Sequence, residues 1–404
     1  MKYLILVCDG MADYPIEELD GLTPMEKANK PMMDMLAKKS VCGTVSNVPS
    51  DMVPESDTAN IAIMSYDPKI YSKGRSPLEA VSMGLHMDDD DTAYRCNLVT
   101  LSEEDCDYDE RTILDHSADE ITTPEADELI KALEARFGKE GLHFYTGVSY
   151  RHCMIMKNGI EKYDFERPHD ILTQKITEHL PKDKNVEIFY KMMRESYDIL
   201  ENHPVNVSRR ERGLRPANSA WFWSPGRRPS IPGFKEKWGL DATVISAVDL
   251  LKGIGLCAGM ESIDVDGATG NIHTNFTGKA DAAIDAFNRG RELVYLHVEA
   301  PDECGHRGEL ENKILSVEKI DSLILKPVYE YLEKSGEDFS ILVLPDHRTP
   351  IIRRTHTIEP VPFFIYSSNK NVNGVEKYSE QNCEATGLYI ENGYTLLDSF
   401  IVRA

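Results

Sequence analysis

Three short, largely apolar runs, hundreds of residues apart, each lead within a few residues into a carboxylate or an imidazole. Tyr3–Val7 runs into Cys8-Asp9-Gly10, Leu293–Val298 into a segment holding Asp302 and His306, and Phe339–Leu344 into Pro345-Asp346-His347. Short runs rich in branched apolar residues predict strands buried on both faces, as in a parallel sheet. The carboxyl ends of such strands form the crevice where ligands bind, so three acids and two histidines are expected at one edge. A fourth run, Pro362–Ile365, follows His356 closely enough to return that residue to the same edge.

Helical patterns at Lys279–Arg289 and Leu310–Lys334 alternate with these strands, which predicts an α/β layered core. Near the N-terminus, Thr23-Pro24 introduces Met25–Lys39 as a helix with Pro at its first position. The middle of the chain differs. From about Asp107 it is charged, with a helix candidate at Pro124–Phe137 but weaker strand signals, and a Pro-rich passage at Arg215–Gly233 precedes regular structure at Leu240. This predicts an inserted α+β cap domain over 107–215, with the sheet domain built from 1–106 and 216–404.

The formal net charge of −23, with acidic runs at Asp88–Asp91 and Glu103–Glu110, makes nucleic acid and anionic membranes poor partners. An anionic substrate would have to meet metal ions or converging Arg and Lys residues. Eight Cys residues form no CxxC pair, and the apolar Lys2–Cys8 lacks the length and cleavage site of an export signal. A reduced, cytoplasmic protein without a membrane span is expected.

Singly, each ligand candidate has an ordinary explanation: Asp after a strand often caps a helix, and lone histidines are usually plain polar residues. Together, Asp9, Asp302, His306, Asp346, His347 and His356 suit ions such as Mn²⁺ or Zn²⁺, in number enough for two. A two-metal site stabilises the attacking and leaving oxygens of an in-line displacement, and then requires a nucleophile. Ser56, in Pro54-Glu55-Ser56-Asp57-Thr58-Ala59-Asn60, stands where a helix starts before the apolar Ile61–Met64. A serine there can simply cap the helix, or it can carry a phosphoryl group stabilised by the helix terminus. The residues alone leave both readings open.

Cys-Asp9-Gly, the Ser56 helix start, Asp302-Glu-Cys-Gly-His306, Pro-Asp346-His347 and His356 together resemble the alkaline-phosphatase superfamily. Within it, the chain resembles the cofactor-independent phosphoglycerate mutases of archaeal type. Supporting segments are Leu-Thr23-Pro-Met-Glu-Lys-Ala-Asn, Gly74-Arg75-Ser-Pro-Leu-Glu-Ala, Gly147-Val-Ser-Tyr-Arg151-His152 and Asp266-Gly-Ala-Thr-Gly270. The resemblance implies a mostly parallel sheet sandwiched by helices, with an inserted cap. It implies one ion on Asp302, His306 and His356, and another on Asp9, Ser56, Asp346 and His347. Mn²⁺ is favoured, with Zn²⁺ or Co²⁺ as alternatives, and no bisphosphoglycerate is needed. Phosphoglycerate would phosphorylate Ser56, and the phosphate would return to the other hydroxyl after the glycerate turns under the cap.

Arg151 and His152 match the family's Tyr-Arg-His segment, and Lys237 in Glu236-Lys237-Trp238 resembles a segment whose Lys approaches the phosphate. Arg75, Arg212, Arg215, Arg227 and Arg228 are further substrate candidates, because guanidinium groups grip phosphate and carboxylate bidentately. Two segments depart from the mutase pattern: Leu114–Ile121, in place of an Arg-rich stretch, and Trp221–Pro229, in place of a shorter Gly-rich one. Both resemble a bacterial branch of the family proposed to phosphorylate homoserine. A mutase is therefore the first expectation, with a homoserine kinase-like phosphotransferase second and a metal-dependent phosphatase third. A non-catalytic binding module would have had no reason to keep every ligand.

Overall fold

The computed structural model describes residues 1–401, and the chain divides into two compact units, Met1–Ser72 with Ser230–Ala404, and Lys73–Pro229. Among the described residues, no helix is long and apolar enough to cross a membrane.

The first unit is built on an eight-stranded sheet. Its strands lie in the order Tyr389–Ile390, Ser40–Val45, Val361–Ser367, Phe339–Leu344, Lys2–Cys8, Leu293–Val298, Ala242–Ile245 and Glu261–Ile263. Lys2–Cys8 lies at the centre, parallel to both neighbours, and all four apolar runs read from the sequence are strands. Val361–Ser367 runs antiparallel to both of its neighbours, so its first residues lie at the edge where Phe339–Leu344 ends. The central strands are buried almost throughout, as their composition requires. The α/β class expected from the alternation of elements is present.

The expected Met25–Lys39 helix is interrupted. Thr23 and Glu26 form a capping box over Pro24–Lys27, the chain turns extended at Ala28, and a second helix begins at Pro31. Pro31 has no amide hydrogen and its ring would clash with the preceding turn, so one continuous helix is excluded. The second helix has no cap of its own. Asp321 supplies one from another element, accepting hydrogen bonds from the amides of Met32 and Met33 at 3.1 and 2.6 Å. Asp321 lies in a π-helical stretch, Ile320–Leu325, that joins Leu310–Lys319 to Lys326–Ser335 within the long helix expected there.

One buried ion pair ties this scaffold to the loop after Phe339–Leu344. The Lys313 ammonium lies 2.7 Å from Asp13 Oδ2 and donates to the Thr349 carbonyl at 2.8 Å, with both side chains essentially inaccessible. The Asp13 carboxylate also accepts from the amides of Tyr14 and Ile351. Breaking such a pair strands a charge in a low dielectric, so Lys313→Met is expected to cost about 3–5 kcal/mol. Urea unfolding should show it, and adding Asp13→Leu should recover part of the loss.

The second unit has its own five-stranded antiparallel sheet. Asp91–Leu101 is its centre, pairing with Arg151–Lys157 on one side and Ser219–Arg227 on the other. Leu142–Val148 and Ile113–Asp115 complete the sheet. Thr123–Phe137 and Glu187–Leu200 pack on it around a core containing Leu129, Leu133, Phe189 and Phe222. The unit extends to both sides of the 107–215 segment delimited by composition, because two of its central strands, Asp91–Leu101 and Ser219–Arg227, lie outside that range and pair with each other.

Candidate active site

Asp9, Asp346 and His347 follow the two central strands, as their sequence positions predict. Gly10 lets the chain turn between Asp9 and the neighbouring loops. Its φ is +62°, and a Cβ there would lie 2.6 Å from Thr349 Oγ1 and 2.7 Å from the Asp302 Cα. Only glycine tolerates both the conformation and the approach. The Gly10 amide donates to Asp346 Oδ1 at 3.2 Å. Asp302 and His306 lie one turn apart on Ala300–Arg307, with His306 Nε2 3.2 Å from Asp302 Oδ2.

Three histidines are held in one tautomer by what their Nδ1 atoms meet. His306 Nδ1 donates to the Arg354 carbonyl at 3.1 Å and His356 Nδ1 to the Pro54 carbonyl at 2.8 Å. His347 Nδ1 lies 3.3 Å from Thr349 Oγ1, whose hydroxyl donates to Asp302 Oδ1. Nε2 of each ring is thereby the atom turned toward the carboxylates, donating where it carries a proton and able to bind an ion where it does not, and these atoms converge. His306 Nε2 and His356 Nε2 are 2.9 Å apart, and the His347 and His356 rings stack with centroids at 3.8 Å. His347 Nε2 also lies 3.6 Å from Asp9 Oδ1, 3.5 Å from Asp346 Oδ2 and 3.2 Å from Ser56 Oγ.

Ser56 is the first residue of the helix Ser56–Ile63. The residue at the cap position is Glu55, with no side-chain cap, and the Ser56 hydroxyl faces His347 instead. The capping alternative for Ser56 is thus not what the helix adopts. The seven residues expected around a metal centre are assembled in the first unit.

Three further residues, missed in the sequence, hold the carboxylates. His297, fully buried on Leu293–Val298, lies with Nε2 3.0 Å from Asp9 Oδ2 and Nδ1 3.2 Å from Ser246 Oγ. Asn60 donates to Asp346 Oδ2 at 2.8 Å and to the Ser56 carbonyl at 2.8 Å, while accepting from the Tyr295 hydroxyl. Thr349 holds Asp302. His297 stands one residue before a strand end and Asn60 one turn after Ser56; the only signal was proximity to motif residues.

Charge is the strongest constraint on what this centre can bind. Burial, then the charges of Asp346, Asp302 and Glu299, push the Asp9 carboxyl well above the usual carboxylate range. Burial and the Asp302 charge raise Glu299 to about 7. Asp302 is held well below its usual range although burial opposes it, because His306 and His356 hydrogen-bond to it. The same contact with Asp302 raises His306 to about 9. Asp9 Oδ1 is buried and accepts no hydrogen bond among the described residues. Clustered buried carboxylates, an orphaned oxygen and three convergent imidazole Nε2 atoms form a hard-to-borderline donor set that fits divalent cations. Two groups of possible ligand atoms are each compact enough for an ion: Asp302 with His347 and His356, and Asp9 with His297 and Asp346. His297 already engages Asp9 Oδ2, which leaves Oδ1 free for an ion and makes His297 the group that orients the carboxylate.

The cationic substrate candidates are placed differently. Lys237, in the first unit, donates to the Ser65 carbonyl and to Ser65 Oγ at 3.0 Å, beneath the rings of Tyr66 and Trp238. The remaining candidates belong to the second unit. Arg212 pairs with Glu125, Arg215 with Asp115 and Arg227 with Glu161. Arg75 precedes the short helix Ser76–Ser82, and Arg228 is exposed. His152 is buried, accepts from the Gly147 amide at 3.1 Å, and is lowered by that burial to about 3, which keeps the ring neutral. Arg151 is exposed, with its guanidinium 5.1 Å above the Tyr150 ring. Cys304, between Asp302 and His306, is raised by burial to about 11 and packs in the apolar core.

The chain is similar to known proteins along most of its length. The family model described as 2,3-bisphosphoglycerate-independent phosphoglycerate mutase matches residues 37–206. A protein of that name from Methanosarcina mazei is 46% identical over 384 residues, covering 95% of each chain. Among solved structures, a protein from Pyrococcus horikoshii is 28% identical, with a TM-score of 0.81, covering 99% of this chain and 96% of that one. The cofactor-independent phosphoglycerate mutase from Thermoplasma acidophilum shares the fold at 24% identity and a TM-score of 0.68, with 99% of both chains covered.

Proposed function

Because this chain belongs to the 2,3-bisphosphoglycerate-independent phosphoglycerate mutase family, we propose that it interconverts 3- and 2-phosphoglycerate through a phosphoserine at Ser56. The observation that carries this reading is the convergence of residues 9, 56, 302, 306, 346, 347 and 356 around one hydroxyl at a helix start. Asp302, His306 and His356 would hold one divalent ion, and Asp9, Asp346, His347 and Ser56 Oγ the other, with His347 near enough to both groups to serve either. Mn²⁺ is the proposed ion, and a reduced cytoplasm the proposed location. When bound, the ions supply charge to the phosphoryl oxygens and lower the pKa of a coordinated hydroxyl.

The protein's own groups do the rest. Ser56 Oγ gives up its proton and forms the new P–O bond as the bond to the 3-oxygen of the substrate breaks, and that oxygen takes up one proton in exchange and leaves as the 3-hydroxyl. The amides of the first turn of Ser56–Ile63 face the phosphoryl oxygens with the positive end of the helix dipole. Asn60 fixes the Ser56 backbone to Asp346, so nucleophile and carboxylate keep their spacing. The glycerate turns, its 2-hydroxyl gives up its proton as its oxygen attacks the phosphoserine, and Ser56 Oγ is released and takes up a proton in exchange. Exclusion of water during that turn decides whether the outcome is a mutase or a phosphatase.

An enolase-coupled assay on Mn²⁺-loaded protein, with neither nucleotide nor bisphosphoglycerate added, tests the reading. Steady conversion of 3-phosphoglycerate is expected. No conversion, together with homoserine-dependent release of ADP from ATP, would replace it with the kinase reading.

A further inference from the structure

Three neighbouring parallel strands end side by side at the candidate centre, and a chain of hydrogen bonds crosses their ends. Ser246 follows Ala242–Ile245, His297 lies near the end of Leu293–Val298, and Asp9 follows Lys2–Cys8. All three side chains are buried. The Val248 amide donates to Ser246 Oγ at 3.0 Å, Ser246 Oγ lies 3.2 Å from His297 Nδ1, and His297 Nε2 lies 3.0 Å from Asp9 Oδ2. Behind the ring, the fully buried ammonium of Lys279, on the helix Phe276–Asn288, donates to the His297 carbonyl at 2.9 Å.

The chemistry of this chain of groups fixes where its protons stand. An ion on Asp9 Oδ1 keeps that carboxyl ionised, so Oδ2 can only accept and Nε2 must carry a ring proton. Burial lowers His297 to about 4, with the Lys279 charge adding to it and the Asp346 charge opposing it, so the ring is neutral and has one proton to place. Nδ1 is then an acceptor. The Ser246 hydroxyl, whose oxygen already takes the Val248 amide, donates to it. Without that hydroxyl the proton can move to Nδ1, which turns a lone pair on Nε2 against the carboxylate. The other two carboxylates are steadied separately: Asp346 by Asn60 and the Gly10 amide, and Asp302 by Thr349.

We propose that Ser246 and His297 form a positioning relay for the ion on Asp9. Ser246 fixes the tautomer of His297, and His297 holds one carboxylate oxygen so that the other is presented to the ion. Neither residue is itself a ligand. The ion rests on the two-metal reading of the site; the hydrogen-bond chain does not.

Titrating metal-free protein with Mn²⁺, and reading the free ion by electron paramagnetic resonance, counts the bound ions and ranks their affinities without turnover. The parent should bind two. Ser246→Ala and His297→Leu should each weaken one of them about ten- to a hundredfold, the scale of losing a group that orients a ligand, and leave the other unchanged. His297→Gln keeps an N–H at the position of Nε2 and should recover most of the affinity lost in His297→Leu. In the His297→Gln background, Ser246→Ala should add nothing, because the ring through which it acts is gone. Equal weakening by Ser246→Ala in both backgrounds would mean that the hydroxyl serves the fold alone, and would overturn the relay. So would unchanged affinity in Ser246→Ala, or a loss in His297→Gln as large as in His297→Leu, which would make His297 a ligand. A parent that binds no Mn²⁺ would overturn the relay together with the metal centre. Failure of the enolase-coupled assay alongside the expected pattern would leave the relay standing and overturn only the assignment of the reaction.

Discussion

Removing the divalent ions with a chelator is expected to abolish phosphoglycerate interconversion, by on the order of a thousandfold or more, and adding Mn²⁺ should restore it. A metal clamp on a transferring phosphoryl group supplies several kcal/mol of transition-state stabilisation, and this site offers nothing to replace it. Its buried carboxylates at 9, 302 and 346 would repel the substrate's phosphate if no ion intervened. Elemental analysis of protein purified without chelator should find close to two equivalents of metal per chain. Asp302→Ala should lose at least one of them, because Asp302 lies within 3.4 Å of the Nε2 atoms of both His306 and His356. Zero metal after reloading would defeat the account at its base.

Ser56→Ala should remove turnover by about 10⁴-fold or more, the scale of losing a covalent nucleophile. The folded state should hardly notice. Ser56 caps nothing in its helix, so an unfolding midpoint change within about 0.5 kcal/mol is expected, less than the loss of a true N-cap. Metal content should also stay near the parent's, since the imidazoles and carboxylates remain. Near-normal activity in this variant would mean that the phosphoryl group passes directly to its acceptor or to water.

The sequence showed the central sheet because residues such as Leu4, Leu296 and Val343 belong to strands buried on both faces, and such strands are apolar throughout. Ligand positions followed from the same logic, since parallel strands deliver their ends to one edge. The second unit was harder to read. Asp91–Leu101 pairs with strands about 55 and 125 residues further along, and nothing local to it announces either partner. Around the site, Ser56, His306 and His356 stood in motifs, whereas His297, Asn60 and Thr349 matter only through distance to Asp9, Asp346 and Asp302. Histidine tautomers were equally hidden, because the carbonyls of Pro54 and Arg354 that fix them belong to loops whose course only the fold determines.

The central claim is that the phosphoryl group rests on Ser56 between donor and acceptor. Acid-quenching Mn²⁺-loaded enzyme during turnover of 3-phosphoglycerate, then digesting it and mapping phosphate by mass spectrometry, addresses this directly. The expected result is phosphate on the peptide containing Ser56, absent from Ser56→Ala and lost on a chase with D-glycerate. Phosphate on a different residue, or an active enzyme that never carries phosphate at any quench time, would contradict it.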